Sequence, residues 1–506
     1  MRRWSPGLCI MMGPSGSITL ALIIMVGGGC TVYRIQVPDQ PTVGIPDAFS
    51  EGAGGGVTID RWWAAFDQPG LSRLVDQVIA NNLSLQQAWA RLAQADALAR
   101  IAGAEHVPQI NAEAGGSRTR IDGQARQPSL GSEQGGGPAP GALPTQMGTF
   151  EQYLVGGGLS YEIDLWRRIS SQRKASALGY DATREDLEAA ALSLAARTAD
   201  LWFTLQEQFA LRRIMGEQIV ANRNHLELLE LRFNMSQATA LDVYQQRQQL
   251  AAIEAQVPQV EGTLRTIWHQ LLVLQGKAPV GEPGVELASE LHPLPALPAL
   301  GAPAALLANR PDLRSSMLRL QAADHNVAAA VAERYPRIQL SLSSQFSADS
   351  VSDVLDTETR TILGNLLLPL VDGGRRRAVV EQRKAMVMER LAGFNEAFLV
   401  AVREVEDALV QERYLKVRIE KLAAQENAAR NTHREAQSRY RNGLSDYLPV
   451  IAALQVLQRV ELEVVSAEVD LRQNRVRSYA ALGGTWTREL EPPESAGNAM
   501  KRSGKS

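Results

Sequence analysis

Two long stretches without a proline constrain the fold more than any other feature of this sequence. They run from Trp166 to Phe233 and from Arg375 to Tyr440, and each can form a nearly continuous helix of about 100 Å at about 1.5 Å per residue. Helices of this length, rich in Ala, Gln, Glu and Arg, cannot enclose a core alone and must pack side by side. Two further stretches are predicted to return as helices, the second with an apolar stripe typical of coiled coils: Leu241–Gly276 and Leu448–Leu482.

The long helices belong to a plan that the chain contains twice. Each helix is followed by a short bend, RFNMSQATALDV from Arg232 and RYRNGLSDYLPV from Arg439, 207 residues later. Gly276 and Gly483, again 207 residues apart, end the two copies. The predicted organisation is a signal peptide (1–29), an extended lipid-anchored segment (30–60), a first repeat (61–278), a proline-rich linker (279–304), a second repeat (305–486) and a disordered tail (487–506).

The N-terminal residues are typical of an export signal. Arg2 and Arg3 precede the apolar core Ile18–Val26, which is too short to span a bilayer as a helix. The core leads into GGGC at 27–30, and small residues before a cysteine resemble a bacterial lipoprotein signal in which Cys30 is cleaved free and acylated. Because Gly27 replaces the usual Leu, an ordinary signal cleaved nearby is the alternative.

Each repeat also contains two short runs in which apolar and polar residues alternate. The predicted strands are 107–120 and 151–164 in the first repeat, and 336–348 and 358–371 in the second. Such alternation is typical of an outer-membrane β-barrel, although a soluble sandwich with one wet face has the same pattern. Four strands cannot close a barrel, and open edges are not tolerated in lipid. If these strands span a membrane, several chains must therefore share one barrel, and three chains would give about 12 strands, enough to leave a passage.

Several motifs in this frame resemble the TolC-like outer-membrane efflux proteins, specifically their NodT-type lipoprotein branch. They are WWAAFDQPGLSRLVDQVIANNLSLQQA at 62–88, YEIDLWRR at 161–168, ANRPDLR at 308–314 and PLVDGGRRRA at 369–378. The resemblance implies a homotrimer with an α-helical tube in the periplasm and a β-barrel in the bacterial outer membrane. It further implies the exit duct of a tripartite pump for small amphiphilic compounds, with a periplasmic membrane-fusion adaptor and an inner-membrane transporter of the RND type. The outer-membrane channel of a type I protein secretion system is the alternative within this family.

On this resemblance the two bends are the periplasmic tips, where the tube narrows and the adaptor docks. Gly443 suits a helix reversal because it tolerates positive φ, whereas Ser236 at the aligned position predicts a differently built turn. We expect Asp242 and Asp446 to hold the tip closed through partners such as Arg232, Arg439 or Tyr440. Simple helix turns without a gate are the alternative, and Pro449 and Ala452 replace residues in a stretch where the family often carries an acid.

Two groups of arginines follow the second and fourth strands. Arg167 and Arg168 follow strand two, and Arg375, Arg376 and Arg377 follow strand four. Long cationic side chains at these points can lay their stems on apolar surface and place their charge at lipid phosphates. Ordinary solvated helix-start charges are the alternative. Arg167 replaces a glycine common in the family, which predicts an altered transition from strand to helix.

Other functional classes are poorly supported by the residues. Lys plus Arg is 52 and Asp plus Glu is 55, so the chain lacks the basic excess of a nucleic-acid binder. The six histidines lack metal-ligand spacing, and Cys9 and Cys30 are too few for a zinc cluster. We therefore expect no enzyme activity and no cofactor besides the covalent lipid. A non-conducting exported coiled-coil protein would explain the helices and the bends, but not the four alternating strands.

Overall fold

The described part of the chain forms two compact units in a computed structural model. It comprises residues 33–34, 36–38, 40–50, 60–121, 148–284, 293–295, 297 and 300–492, so the expected signal peptide and Cys30 lie outside it. The first unit contains the described residues up to Gln36 and those within 98–176 and 323–386, and the second contains the described residues within 37–97, 177–322 and 387–492. The expected extended segment 30–60 is described only from residue 33 and in part.

The first unit contains one antiparallel sheet of four strands in the order β1-β2-β3-β4. The pairing register places residues of like polarity side by side across all four strands. Ile110 pairs with Leu159, Leu159 with Leu342, and Leu342 with Ile362. The neighbouring row is Asn111, Gly158, Ser343 and Thr361. One face of the sheet is therefore apolar and the other polar. The strand bounds are β1 Gln109–Ile121, β2 Gly148–Ile163, β3 Arg337–Ala348 and β4 Glu358–Leu367.

Helices account for most of the remaining residues, and the two longest contain 67 residues each. They are α3 and α8, and they match the two proline-free stretches of the sequence to within two residues at each end. None of the helices in the described ranges is both long and apolar enough to cross a membrane. The helix bounds are α1 Pro69–Asn81, α2 Leu83–Ala104, α3 Arg168–Asn234, α4 Ala240–Glu254, α5 Val257–Leu274, α6 Leu306–Asn309, α7 Pro311–Ala332, α8 Arg375–Arg441 and α9 Leu448–Leu482.

Three element boundaries differ from the sequence-based expectation. The return stretch 241–276 is not one helix, because it breaks into α4 and α5 just before Pro258, which has no N–H and clashes with the preceding turn. Strand β4 ends at Leu367 instead of 371, two residues before Pro369, which cannot donate to a ladder. The tail is ordered at its start, since Trp486–Glu489 forms a 3₁₀ helix and the buried Thr487 hydroxyl donates to Glu188. The expected disorder beyond residue 492 falls outside the described residues.

The two repeats end in glycines that have similar positive φ angles. Gly276 and Gly483 have φ of 72° and 79°. A Cβ atom at Gly276 would lie 2.6 Å from the carbonyl oxygen of Asn81, and one at Gly483 would lie 2.4 Å from that of Asn309. A side chain cannot fit at either position, and positive φ is also costly for any other residue. Both repeats therefore end in a glycine that lies close to a backbone carbonyl group.

The main core of the second unit is aromatic. Trp62, Trp63 and Phe66 are buried on a short 3₁₀ helix, and the ring of Trp62 stacks on that of Tyr479 at 5.8 Å. Beside this core, the guanidinium of Arg475 forms an ion pair with Glu412, and the two side chains are 1% and 3% exposed. The pair joins α8 to α9 through charges that water does not reach.

Candidate functional site

The two bends at the ends of α3 and α8 have the same hydrogen-bond pattern. In the first, the N–H of Ser236 donates to the Phe233 carbonyl at 2.9 Å and that of Gln237 donates to the Arg232 carbonyl at 2.8 Å. In the second, Gly443 donates to Tyr440 at 3.1 Å and Leu444 donates to Arg439 at 2.8 Å. This pair of bonds is the Schellman motif that caps helix C-termini.

The expectation of a differently built first turn is therefore wrong. Ser236 has a φ of 59° and Gly443 has a φ of 69°, so both occupy the left-handed region. That conformation costs a residue with a Cβ atom about 1–2 kcal/mol, and here the two capping hydrogen bonds and the packing of the flanking helices hold Ser236 in it. A glycine at the turn is favourable, but the motif does not require it.

Behind the turns lies a small core with a polar network inside it. The hydroxyl of Tyr447 donates to Oε1 of Gln246 at 2.6 Å, and Nε2 of Gln246 donates to the side chain and carbonyl of Asn222, both at 2.9 Å. Burial raises the pKa of Tyr447, and the nearby Tyr440 and Asp242 raise it further. Tyr447 therefore remains a hydrogen-bond donor over the physiological pH range. The apolar neighbours of this network include Leu229, Val243, Val450 and Ile451.

The two predicted gate carboxylates differ in their surroundings. Asp242 closes a capping box at the start of α4, in which it accepts the backbone N–H of Thr239 at 2.8 Å while its own N–H donates to the Thr239 hydroxyl at 3.2 Å. Asp446 is exposed and forms no hydrogen bond or ion pair with the described residues. Within the chain, neither carboxylate is paired with Arg232 or Arg439. A gate that uses these carboxylates would need partners outside this chain.

The predicted partners of the gate are also at the tip. The guanidinium of Arg232 lies over the ring of Tyr440, 5.3 Å from its centroid, and the ring of Tyr440 packs against Tyr447 at 5.2 Å. Arg439 is exposed. The tip thus holds an aromatic cluster with a cation on one face, a contact that no local motif in the sequence indicated.

Exposed apolar side chains surround the two turns, and sequence reasoning missed them as a group. Five of them are more than half exposed, and they lie on both bends and on the first turns of the returning helices. An apolar patch of this kind usually marks a protein–protein contact. Its members are Met235, Leu241, Tyr244, Leu444 and Leu448.

Three of the five arginines expected at lipid headgroups form ion pairs within the chain. Arg168 forms two bonds with the carboxylate of Glu162, at 3.0 and 2.9 Å. Arg376 pairs with Asp372 at 2.9 Å and Arg377 pairs with Glu381 at 3.1 Å. Arg375 and Arg167 are exposed, and Arg167 has a φ of 60°.

The fold also brings together two histidines that the sequence separates. The rings of His225 and His433 lie 6.3 Å apart between centroids, one on α3 and the other on α8. Burial lowers the pKa of both, helped by the charge of Arg441 for His225 and by His225 itself for His433. Within the described ranges, no group of three or more His, Cys, Asp or Glu side chains could hold a metal ion.

Comparison with known proteins places this geometry in a family. The family model described as "Outer membrane efflux protein" matches residues 74–277 and 302–484, well over half of the chain. The chain belongs to this family. It is thus an efflux protein of the bacterial outer membrane, as the resemblance predicted, and the family is one of transport proteins.

Similar proteins cover nearly the whole chain. The pyoverdine export outer membrane protein OpmQ of Pseudomonas putida is 28% identical and covers 90% of this chain and 96% of its own. The toluene efflux pump outer membrane protein TtgI, from another strain of Pseudomonas putida, is 28% identical and covers 93% and 98%. A crystal structure of a membrane protein from Pseudomonas aeruginosa is 26% identical with a TM-score of 0.81, and covers 92% and 99%.

Proposed function

We propose that this chain is the outer-membrane exit duct of a tripartite pump that exports small amphiphilic compounds. Three copies would share a 12-stranded barrel, four strands from each chain, and their helices would form a tube in the periplasm. An acylated Cys30 would add a lipid anchor. The duct would conduct passively, and a membrane-fusion adaptor would join it to an inner-membrane transporter of the RND type.

The observation that carries this proposal is the exposed apolar row across the sheet. The side chains of Ile110, Leu342 and Ile362 are 77%, 46% and 83% exposed. Together with Leu159 they form one continuous apolar row across the four strands. Exposed apolar side chains on one face and polar side chains on the other suit strands between lipid and a wet lumen.

The edges of the sheet support the sharing of a barrel between chains. In the described residues, β1 and β4 each pair with one strand only, so each has a free row of backbone N–H and C=O groups. Such edges are not tolerated in lipid. Pairing of β1 in one copy with β4 in the next satisfies both edges and closes a barrel, which a single chain cannot do.

The tips are the proposed docking surface for the adaptor. The exposed apolar patch on both bends supplies contact area of the kind that protein partners cover. The pump and its cargo are inferred from relatives, since TtgI is named for toluene efflux and is similar over almost the entire chain. A small hydrophobic cargo distinguishes this proposal from a type I secretion channel, whose cargo is a protein.

The proposal is tested in the host bacterium by deleting and restoring the gene. We expect the deletion strain to accumulate a lipophilic fluorescent dye and to become more sensitive to toluene, with both effects reversed by the wild-type gene. The secreted proteins should be unchanged. Loss of a secreted protein with unchanged dye accumulation would favour the secretion channel instead. Absence of conductance in planar bilayers for the purified protein would favour a non-conducting protein.

A second measurement tests the proposed acidic gate. Asp242→Asn keeps an oxygen that can accept the Thr239 N–H while it removes the charge, and Asp446→Asn removes a charge without an intrachain contact. If the carboxylates of neighbouring copies hold the tip closed, both variants should change single-channel conductance and its dependence on divalent cations. Exposed Asp407→Asn, far from the tip in sequence and 71% exposed, serves as the control. Unchanged conductance in both tip variants would exclude the acidic gate.

A further inference from the structure

A basic cleft in the first unit contains Arg167 and other cations to which no role has been given. It has a volume of about 780 Å³ and lies where strand β2 leads into helix α3. Four cationic side chains line it, Arg34, Arg167, Arg173 and Lys174. Among the described residues that line the cleft, none is an aspartate or a glutamate.

The cations of the cleft have no carboxylate partner among the residues that the structure describes. In the part of the chain that the structure describes, none of the four side chains forms an ion pair with a carboxylate, whereas the adjacent Arg168 is held by Glu162. The nearby Asp164 carboxylate is engaged by the N–H groups of Ile169 and Ser170 and by the Ser170 hydroxyl. Like charges that converge on a concave surface repel each other unless an anion binds between them.

One of the four cations is held in a costly backbone conformation. Arg167 has a φ of 60°, and a residue with a Cβ atom in this region costs about 1–2 kcal/mol relative to glycine. The position 207 residues later is Gly374, with a φ of 85°. The second repeat thus uses the favourable residue at this turn, and the first repeat uses an arginine that lines the cleft. A functional constraint on the Arg167 side chain would account for the less favourable residue at this turn.

The walls of the cleft are fixed by contacts of their own. The indole N–H of Trp166 donates to the Pro336 carbonyl at 2.7 Å, and its ring stacks on Tyr335 at 4.9 Å. On the other side, the Tyr33 hydroxyl and the N–H of Gln36 donate to the carboxylate of Asp324, which is buried, at 2.6 and 2.9 Å. Asp324 therefore positions Tyr33 and the neighbouring Arg34 at the cleft. The negative charge of its carboxylate is engaged by the Tyr33 hydroxyl and the Gln36 N–H.

The histidine at the cleft adds no positive charge near neutral pH. Burial and the charge of Lys174 lower the pKa of His325, although the adjacent Asp324 raises it. His325 can therefore accept or donate a hydrogen bond near neutral pH without adding charge. The four cations account for the positive field.

We propose that this cleft binds the phosphate group of an anionic ligand, such as the headgroup of a phospholipid. Guanidinium groups bind phosphate oxygens through paired hydrogen bonds, and a lysine adds a compact charge. Strand β2 ends at Ile163, four residues before Arg167, so the cleft lies at the end of the sheet and faces the headgroup region if the sheet spans the membrane. The inference rests on the outer-membrane location of the protein and not on export.

The test is a lipid titration of the full-length protein in a neutral detergent, followed by native mass spectrometry. The probes are dihexanoyl phosphatidylglycerol, dihexanoyl phosphatidylcholine and inorganic phosphate. The test variant is Arg173→Gln with Lys174→Gln. The control is Arg403→Gln with Lys421→Gln, which removes the same charge from exposed positions of the second unit, where the side chains are 67% and 73% exposed. Because Arg34 lies outside the helices, Arg34→Gln is a third variant that cannot disrupt α3.

We expect phosphatidylglycerol to bind the wild type and the control equally, and the test variant about 30-fold more weakly, since each basic residue near an anionic lipid contributes about fivefold. Arg34→Gln should weaken binding about fivefold. Competition by inorganic phosphate at similar affinity would identify a free phosphate anion as the ligand, and its failure to compete would identify a lipid headgroup. Equal binding of phosphatidylglycerol to wild type, test variant and Arg34→Gln would overturn the proposal, and so would equal loss in the control. The experiment measures lipid binding and not transport, so the phosphate-binding proposal can fail while the proposed efflux function stands.

Discussion

At the scale of single residues, the duplicated chain shows how one backbone conformation can be supplied by different side chains. Ser236 and Gly443 occupy the same left-handed position in the two bends, as Arg167 and Gly374 do in the two strand-to-helix turns. The cost of a Cβ atom in this region is about 1–2 kcal/mol, small enough for the surrounding structure to impose. Sequence spacing located these turns, but their shared geometry was visible only in the backbone.

Exchanging the turn residues tests this reading. We expect Ser236→Gly to stabilise the first bend by about 1 kcal/mol and Gly443→Ser to destabilise the second by a similar amount. No atom lies within 4 Å of a Cβ built at Gly443, so the second effect measures backbone conformation alone. Hydrogen exchange of the amides at 237–243 and 444–450 reports each bend separately. Slower exchange in Gly443→Ser would contradict the argument.

A buried carboxylate predicts a dependence of stability on pH. Burial raises the pKa of Asp200 to about 6, opposed by the charge of Arg477, and its Oδ1 atom is buried without a hydrogen-bond partner in the described chain. The folded state therefore binds this proton more tightly than the unfolded state. The free energy of unfolding should fall as the pH rises through the interval from about 4 to 6.

Asp200→Asn should remove this contribution to the pH dependence. The variant is expected to have a higher unfolding temperature than the wild type at pH 8 and a much smaller excess at pH 4.5, measured by thermal unfolding in detergent. Exposed Asp407→Asn is the matched control, with its side chain 71% exposed. An equal shift at both pH values would mean that the charge of Asp200 is not the cause.

At the scale of elements, helix α8 is tied to α9 by charges in two very different settings. Arg475 and Glu412 are 1% and 3% exposed, and Lys416 adds a second cation 3.1 Å from Glu412. Arg418 and Asp470 join the same two helices at 3.2 Å but are 50% and 49% exposed. Solvent screens the second pair, whereas removing Arg475 leaves the buried Glu412 carboxylate with only the half-exposed Lys416 as a counterion.

The two pairs are compared by the same substitution. Arg475→Met should lower the free energy of unfolding by about 3–5 kcal/mol, because the Glu412 carboxylate stays buried. Arg418→Met should change it by less than about 1 kcal/mol. The unfolding midpoint in guanidinium chloride measures both. Rescue of Arg475→Met by the second substitution Glu412→Leu would show that the unpaired charge, and not lost packing, causes the effect.

At the scale of the whole molecule, the sheet explains why this chain needs other copies of itself. Its apolar row is exposed and its outer strands have free edges, so a single chain leaves both apolar surface and backbone groups without partners. The helices alone would be compatible with an exported coiled-coil protein. The proposed membrane function therefore depends on the orientation of a few strand residues.

Two neighbouring residues of β4 test that orientation. Ile362 lies in the apolar row and Thr361 in the polar row. If the apolar row faces lipid, Ile362→Arg should cost about 2–4 kcal/mol near the bilayer midplane and reduce the amount of oligomer in outer-membrane fractions. Thr361→Arg adds the same charge to the lumen face and should be tolerated. Equal loss in both variants would mean that lipid does not distinguish the two faces.

Features that depend on local pattern and on repetition could be predicted from the amino-acid sequence. The proline-free stretches became α3 and α8, the alternating runs became β1 to β4, and the motifs at 62–88, 161–168, 308–314 and 369–378 identified the family. Local sequence was sufficient for these features because helix period, strand alternation and the absence of proline each act over a few neighbouring residues.

The pairing of distant groups became visible only in the folded chain. Folding brings His225 to His433, buries Arg475 with Glu412, and gathers Arg34 with Arg167, Arg173 and Lys174 around one cleft. Each of these outcomes depends on side chains far apart in the sequence or on backbone angles that a neighbour imposes. Burial and electrostatic pairing are set by such distant neighbours, and so they could not be read from local pattern.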